Sequence, residues 1–419
     1  MTAAPARFSP TAAAYAMRIA FVSDLAERLH GYGTTAQRLE GTIIAVAQRL
    51  GLDCEPWSNP TGIILSFSDP TRPPGETDTT RVIRLSPGDT DLYKLCEADR
   101  IAEAVMAGDM DLAEGHAALT ALDRPPGKRS NALQVLGFAL ASAAVAGLLR
   151  LPWLDIATAA TTGLLLGLLE QVVRNRPRLK EAGDAIAGIL AGSIALLVAT
   201  LVAPINFNTV IIAALIVLLP GMALTNAMNE LTSQHLVSGT ARFAGAMSSL
   251  LKLTVGTMIA VTLAALFGIE PQVRALRPQP DWVEALALVA AAFAFAVLFR
   301  ADRRDYPVVM LAAIAGYLVS RVAGEAWGSP VGVFLSALLM TAAGNAYARW
   351  RNRPGAVVRM PGVILLVPGS ASLRGVISLF QQQNLSAGQD ALVAVLNILL
   401  ALVAGLLFGN LLWPTRRNL

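Results

Sequence analysis

The feature that most constrains this chain is a change of texture near residue 130. Up to Ser130, charged and apolar residues mix as in a soluble domain; from Asn131 onward, long apolar stretches follow one another, separated by short basic loops. A bilayer core of about 30 Å is crossed by a helix of about 20 apolar residues. Inside it every backbone polar group needs an internal partner, which favours helices. The sequence therefore predicts an all-α polytopic membrane protein behind a small polar N-terminal domain. Ten spans are expected: 131–149, 154–173, 184–203, 206–230, 239–267, 281–299, 307–324, 327–348, 356–380 and 388–412. Only 15% of the residues are charged, against about 25% in soluble domains.

Loop charges orient these spans. With the polar domain inside, the inner loops and tail carry Arg174, Arg176, Arg178, Lys180, Arg242, Arg300, Arg303, Arg304, Arg349, Arg351, Arg353, Arg359, Arg416 and Arg417. The outer loops carry Arg150, Arg274, Arg277, Arg321 and Arg374. This alternating bias follows the positive-inside rule and accounts for the net charge of +4 without any nucleic-acid partner. Met1 to Tyr15 holds no continuous apolar core, so no signal peptide is expected and the polar domain is placed in the cytoplasm.

Residues 1–130 read as an α+β domain. A helical pattern runs from Thr11 to His30 and stops at Gly31 and Gly33; Thr34 or Thr35 caps a second helix that ends at Gly51. Strands are expected at Gly62–Phe67 and Arg81–Leu85, and two helices within Asp89–Leu122. Pro125-Pro126-Gly127 is a linker. Cys54 and Cys96 lack the neighbours of a disulfide framework or zinc site and read as buried free thiols. His30 and His116 have no metal-ligand spacing and read as polar residues at helix ends. Glu40 reads as an exposed helix charge, with contact to the membrane domain as the alternative.

Two segments break the apolar regularity. Residues 216–221 read IVLLPG and residues 364–369 read ILLVPG, 148 positions apart. Each lies in the fourth span of five. An odd number of spans per half gives the halves opposite orientation, so residues 131–267 and 268–419 form a 5+5 inverted repeat, a pattern of secondary transporters. Pro220-Gly221 and Pro368-Gly369 are expected to break their helices, or merely to kink them. A break is tolerated only inside protein or beside a water-filled cavity, and the new helix N-terminus favours an anion such as a carboxylate.

The residues after the breaks supply candidate substrate contacts: Thr225, Asn226 and Asn229 after the first, Ser370, Ser372 and Arg374 after the second. Glu230 offers an acceptor for an ammonium or a proton. Glu230 and Arg374 read equally as interfacial charges at span ends. Lys252, inside the fifth span, is a proton-coupling candidate beside Glu230, or a side chain that snorkels to the interface.

With these motifs in place, the chain resembles the threonine/serine exporter family of bacterial membrane proteins. The resemblance rests on GYGTTAQRLEGT (31–42), NPTGIILSF (59–67), TRVIRL (80–85), PGMALTNAMNELTSQHLVSGTAR (220–242) and MPGVILLVPGSASLRG (360–375), and covers residues 20 to 412. It implies an inner-membrane exporter of L-threonine and L-serine, driven by the proton-motive force, with a cytoplasmic N-terminal domain. Two-protein relatives imply a dicarboxylate (succinate) exporter as the alternative, which Arg374 would suit. The expected partners are a small-molecule substrate, protons and the lipid bilayer; a homo-oligomer stays open. No cofactor or metal is implied. The N-terminal domain is hydrolase-like in some relatives, but G-x-S-x-G and H-E-x-x-H are absent here, so no enzyme is expected. A ring of charged pore residues, which a channel would need, is not evident.

Overall fold

A computed structural model describes residues 12–71, 73, 78–174, 176–268, 278–367, 369–381 and 385–414. The N-terminal region begins with α1 (Ala12–Gly31) and α2 (Ala36–Arg49). α2 buries Leu39, Ile43, Val46 and Ala47 along one stripe, the i, i+4, i+7 spacing of an amphipathic helix. It ends where Gly51 takes a positive φ of 72°. Next come β1 (Asp53–Asn59), β2 (Gly62–Ser68) and β3 (Thr79–Arg84), an antiparallel meander in the order β1-β2-β3. On β2, Ile63, Leu65 and Phe67 point inward and are buried. α3 (Leu92–Ala107) stops at Gly108 in the left-handed region, and α4 (Leu112–Ala121) opens on a capping box of Asp111 with Glu114. Both expected strands are present, while β1 was not anticipated. Pro56 obscured it; β1 is an edge strand, where proline is tolerated.

The apolar region folds into α5 (Lys128–Leu148), α6 (Trp153–Arg174), α7 (Pro177–Leu201), α8 (Phe207–Ala214), α9 (Gly221–Thr232) and α10 (Leu236–Leu266). There follow α11 (Asp281–Leu298), α12 (Tyr306–Trp327), α13 (Ser329–Arg351), α14 (Ala356–Ile364), α15 (Gly369–Gln381) and α16 (Leu385–Leu412). Among the described residues, nine stretches are long and apolar enough to cross a membrane, and α14 with α15 supply one of them. The expected span 206–230 is instead two short helices, α8 and α9, separated by the turn around Leu215–Pro220. The second interruption falls between Ile364 and Gly369; Pro368 itself lies outside the described residues.

Close backbone approach holds the long helices together. A Cβ on Gly188 or Gly256 would strike the facing backbone across the α7–α10 contact, and one on Gly405 or Gly409 would do so across α13–α16. Small residues at such crossings let dispersion and weak polar contacts act where no hydrophobic drive exists between helices. One buried apolar cluster runs from Leu25, Leu39 and Ile43 in the N-terminal helices to Phe295 on α11, Val309 on α12 and Met360 on α14. The N-terminal region is thus packed against the membrane helices rather than suspended from a linker.

Candidate functional site

The two helix interruptions touch. A Cβ on Gly369 would lie 3.2 Å from Leu219 Cβ and 3.3 Å from Gly221 Cα, and one on Gly221 would collide with Val367 Cγ1. Proline ends the hydrogen-bonded run and glycine permits the approach. Around this contact lies a cavity of about 440 Å³. The break residues Ile216–Leu219, Gly221, Val367 and Gly369 border it, together with Gln134, Glu170, Arg174, Arg242 and Arg300.

A smaller cavity, of about 60 Å³, lies between α9, α14, α16 and the start of α2. Thr225, Asn226 and Asn229 face it from α9, and Arg359 and Met360 from α14. Asn410 on α16 and Thr34, Thr35 and Arg38 of the N-terminal region complete the polar wall. Met222 and Asn226 border both cavities. Gly33 makes the approach of the N-terminal loop feasible. Its φ of +83° is strained for other residues, and a Cβ there would sit 3.1 Å from the Thr90 backbone. Arg38 borders the cavity and is half-buried; desolvation lowers its guanidinium to about 10, so it stays cationic at neutral pH.

The anticipated site residues therefore divide. Thr225, Asn226 and Asn229 border one cavity. Ser370, Ser372 and Arg374 border neither cavity, and Arg374 is exposed. Lys252 is half-buried, makes no hydrogen bond or ion pair among the described residues, and borders neither cavity. Arg38 and Arg359 were not anticipated as site residues. The only sequence signal was Arg38 within the family-like segment 31–42 and Arg359 at the head of the second broken span.

Glu230 is fully buried and its carboxylate accepts four hydrogen bonds. Oε1 accepts from the Ala36 backbone N–H and Arg242 Nη2, each at 3.0 Å. Oε2 accepts from Ser238 Oγ at 2.8 Å and Arg242 Nε at 3.1 Å. Ala36 is the first residue of α2, whose cap Thr35 gives no side-chain bond. A carboxylate from α9 thus caps a helix of the N-terminal region, satisfying an orphan N–H and the helix dipole together.

A second link lies beside it. His235 Nε2 is 3.0 Å from Glu40 Oε2, and its Nδ1 is 3.0 Å from the Ser233 carbonyl. Glu40 Oε1 also accepts from Ser58 N and Oγ. Glu40 is therefore not the exposed charge its helix position suggested; it ties α2 and β1 to the turn between α9 and α10. Further along the interface, Leu92 N–H donates to the Phe299 carbonyl at 2.9 Å and Arg300 pairs with Asp91 at 3.3 Å.

The remaining titratable candidates have local roles. His30 is buried against the Asn59 carbonyl at 3.1 Å, and desolvation lowers its pKa. His116 pairs with Asp24 at 2.7 Å. Cys54 and Cys96 are free and buried, and burial pushes both thiols up to about 12, where they are unreactive at neutral pH. Among the described residues no cluster of three or more His, Cys, Asp or Glu side chains could hold a metal ion.

Membrane-length helices packed around cavities, with broken helices between them, make this a polytopic membrane protein. The chain belongs to the threonine/serine exporter family: the family described as "Putative threonine/serine exporter" matches residues 20–264, and a second, "Threonine/Serine exporter, ThrE", matches residues 284–412. It is 24% identical over 399 residues to a "Probable threonine/serine exporter" of Mycobacterium tuberculosis, covering 93% of this chain and 75% of that protein. It is 24% identical over 393 residues to "Pheromone-regulated membrane protein 10" of Zygosaccharomyces rouxii, and 25% identical over 385 residues to the protein of that name in Pichia sorbitophila. Those matches cover 91% and 87% of this chain, but only 39% and 37% of the fungal proteins. The chain thus spans about two fifths of the length of these fungal relatives. No solved structure matches the chain. The family is one of membrane exporters, not of enzymes.

Proposed function

We propose that this protein is a secondary active exporter that moves L-threonine and L-serine out of the cytoplasm across a bacterial inner membrane, driven by the proton-motive force. The observation that carries the reading is the contact of the two helix breaks at Gly221 and Gly369 beside a cavity of about 440 Å³ that Glu170, Arg174, Arg242 and Arg300 border. Broken helices near the midplane are where transporters of this kind bind solute. On this reading α8 and α9 together make the fourth of ten spans. Residues 131–267 and 268–419 form two five-span halves of opposite orientation, behind a cytoplasmic domain of residues 1–130. The pairing of α7 with α10 and of α13 with α16 supports equivalence of the third and fifth spans in each half.

Opposite orientation also accounts for the split among the site residues. The segment after the first break, α9, runs toward the N-terminal region; the segment after the second, α15, runs away from it. Thr225, Asn226 and Asn229 then contact solute in the inward-facing state, while Ser370 and Ser372 lie on the outward path. The halves rock around the breaks to give alternating access. Glu230 couples the cycle to protons: protonation would remove the charge that holds Arg242 and the Ala36 N–H, loosening α2 from α9.

The test is efflux from threonine-loaded cells, with and without an uncoupler, against a panel that includes serine and succinate. Threonine efflux above the empty-vector rate, abolished by the uncoupler and by Thr225→Val or Asn226→Ala with membrane insertion intact, is expected. Efflux no faster than the empty vector would sink the reading, and efflux insensitive to the uncoupler would remove the proton coupling.

A further inference from the structure

Among the described residues, the other buried or half-buried arginines beside carboxylates are paired with them. Arg18 meets Asp69, Arg28 meets Asp24 and Asp123, and Arg242 meets Glu230. The two arginines of the smaller cavity break this pattern. Arg38 and Arg359 both border it, and neither guanidinium has a hydrogen-bond or ion-pair partner among the described residues. Arg359 is only 9% exposed, and its Nη1 is buried without an acceptor. The hydroxyls of Thr34, Thr35 and Thr225, on the same wall, are also buried and unpartnered. No Asp or Glu borders the cavity among the described residues. An unpaired buried cation is costly, and a set of orphaned polar groups facing one space calls for an occupant that satisfies them.

We propose that Arg38 and Arg359 together hold the carboxylate of the exported solute, so that the N-terminal region itself supplies one of the two binding cations. This rests on the exporter reading above and adds the site's chemistry to it. A planar guanidinium matches a carboxylate in bidentate fashion, and two of them can share its two oxygens. The cavity's 60 Å³ is room for about four waters, by the volume one water needs. That suits a short solute and excludes a bulky side chain. Thr225 and its neighbouring hydroxyls are placed to meet a solute hydroxyl, and the side-chain carbonyls of Asn226 and Asn229 can accept from an ammonium.

The site is also linked to the latch. Arg38 stands two residues after Ala36, whose N–H is held by Glu230. Movement of α2 away from α9 would withdraw one of the two cations, so docking of the N-terminal region completes the site and undocking weakens it.

The test uses the purified full chain in lipid nanodiscs. Binding of L-threonine, L-threoninol and succinate is read by titration calorimetry, and threonine efflux is read in parallel in cells. Threoninol keeps the hydroxyl and the ammonium but lacks the carboxylate. Threonine is expected to bind at least tenfold more tightly than threoninol. Arg38→Gln and Arg359→Gln are each expected to weaken threonine binding by about 10- to 100-fold, with partial recovery in Arg38→Lys and Arg359→Lys. Equal affinity for threonine and threoninol overturns the site on the wild-type protein alone, independent of how the variants fold. Wild-type affinity and efflux in both glutamine variants also overturn it, and leave the exporter reading standing. A wild type that neither binds nor exports threonine, yet binds succinate and loses it in both glutamine variants, overturns threonine export and keeps the site. Absence of any carboxylate binding overturns the site and leaves water as its occupant.

Discussion

Glu230 carries the densest polar contact at the junction of the N-terminal region with the membrane helices. In sequence it was a carboxylate roughly ten residues past a helix break, readable as a proton carrier or as an interfacial charge. Its four donors are spread over 206 residues of sequence, from Ala36 to Arg242. Neither Ala36 nor Ser238 carries any local sign of the contact. Removing one partner of a buried charge pair strands the other, at a cost on the order of 3 kcal/mol. Glu230→Gln should therefore lower the thermal unfolding midpoint of the detergent-solubilised protein by several degrees, and an unchanged midpoint would show that the network contributes nothing to stability. Glu40 teaches the same lesson. An exposed helix charge and one that meets a histidine 195 residues away look identical in a single sequence.

At the scale of elements, the breaks were legible because their cause is local. Proline removes an N–H and glycine loosens the backbone wherever they stand in a helix. The two breaks lie against each other at the Gly221–Gly369 approach. Gly221→Ala should push the breaks apart, because its Cβ would collide with Val367 and crowd the Gly369 backbone. Overpacking of this kind costs about 1–3 kcal/mol. Threonine efflux should fall well below wild type while the protein still inserts, and undiminished efflux would mean that the close approach is not needed for the cycle. The position of the second-half contacts was not legible from the 148-residue offset. That offset matches residues after one break to residues after the other, whereas the cavity wall facing α9 is built from α14, before its break.

At the scale of the whole molecule, the Pro125-Pro126-Gly127 linker suggested two separable parts, but packing joins them. The cluster that includes Leu39 and Ile43 continues into Phe295, Val309 and Met360. The Glu230–Ala36, His235–Glu40 and Arg300–Asp91 contacts add polar ties across the same interface. A protease site inserted between Asp123 and Gly127, cut after purification, should leave the fragments together on gel filtration in detergent. Clean separation of the two would show that the interface is weak and that the linker alone holds the parts together.

The sequence by itself determined the class. Apolar length, loop charge and Pro-Gly placement are local or periodic properties, and a bilayer reads them nearly residue by residue. It also supplied the α9 side of the cavity wall, because Thr225, Asn226 and Asn229 lie within one and a half turns of each other. Only the tertiary structure decided the rest. Arg38 and Arg359 stand 321 positions apart in different kinds of surroundings, and they face one space solely because α2 docks on α9 while α14 packs from the other side. The physical reason is that a charge's role depends on what opposes it across the fold, and pairing or isolation exists only in three dimensions.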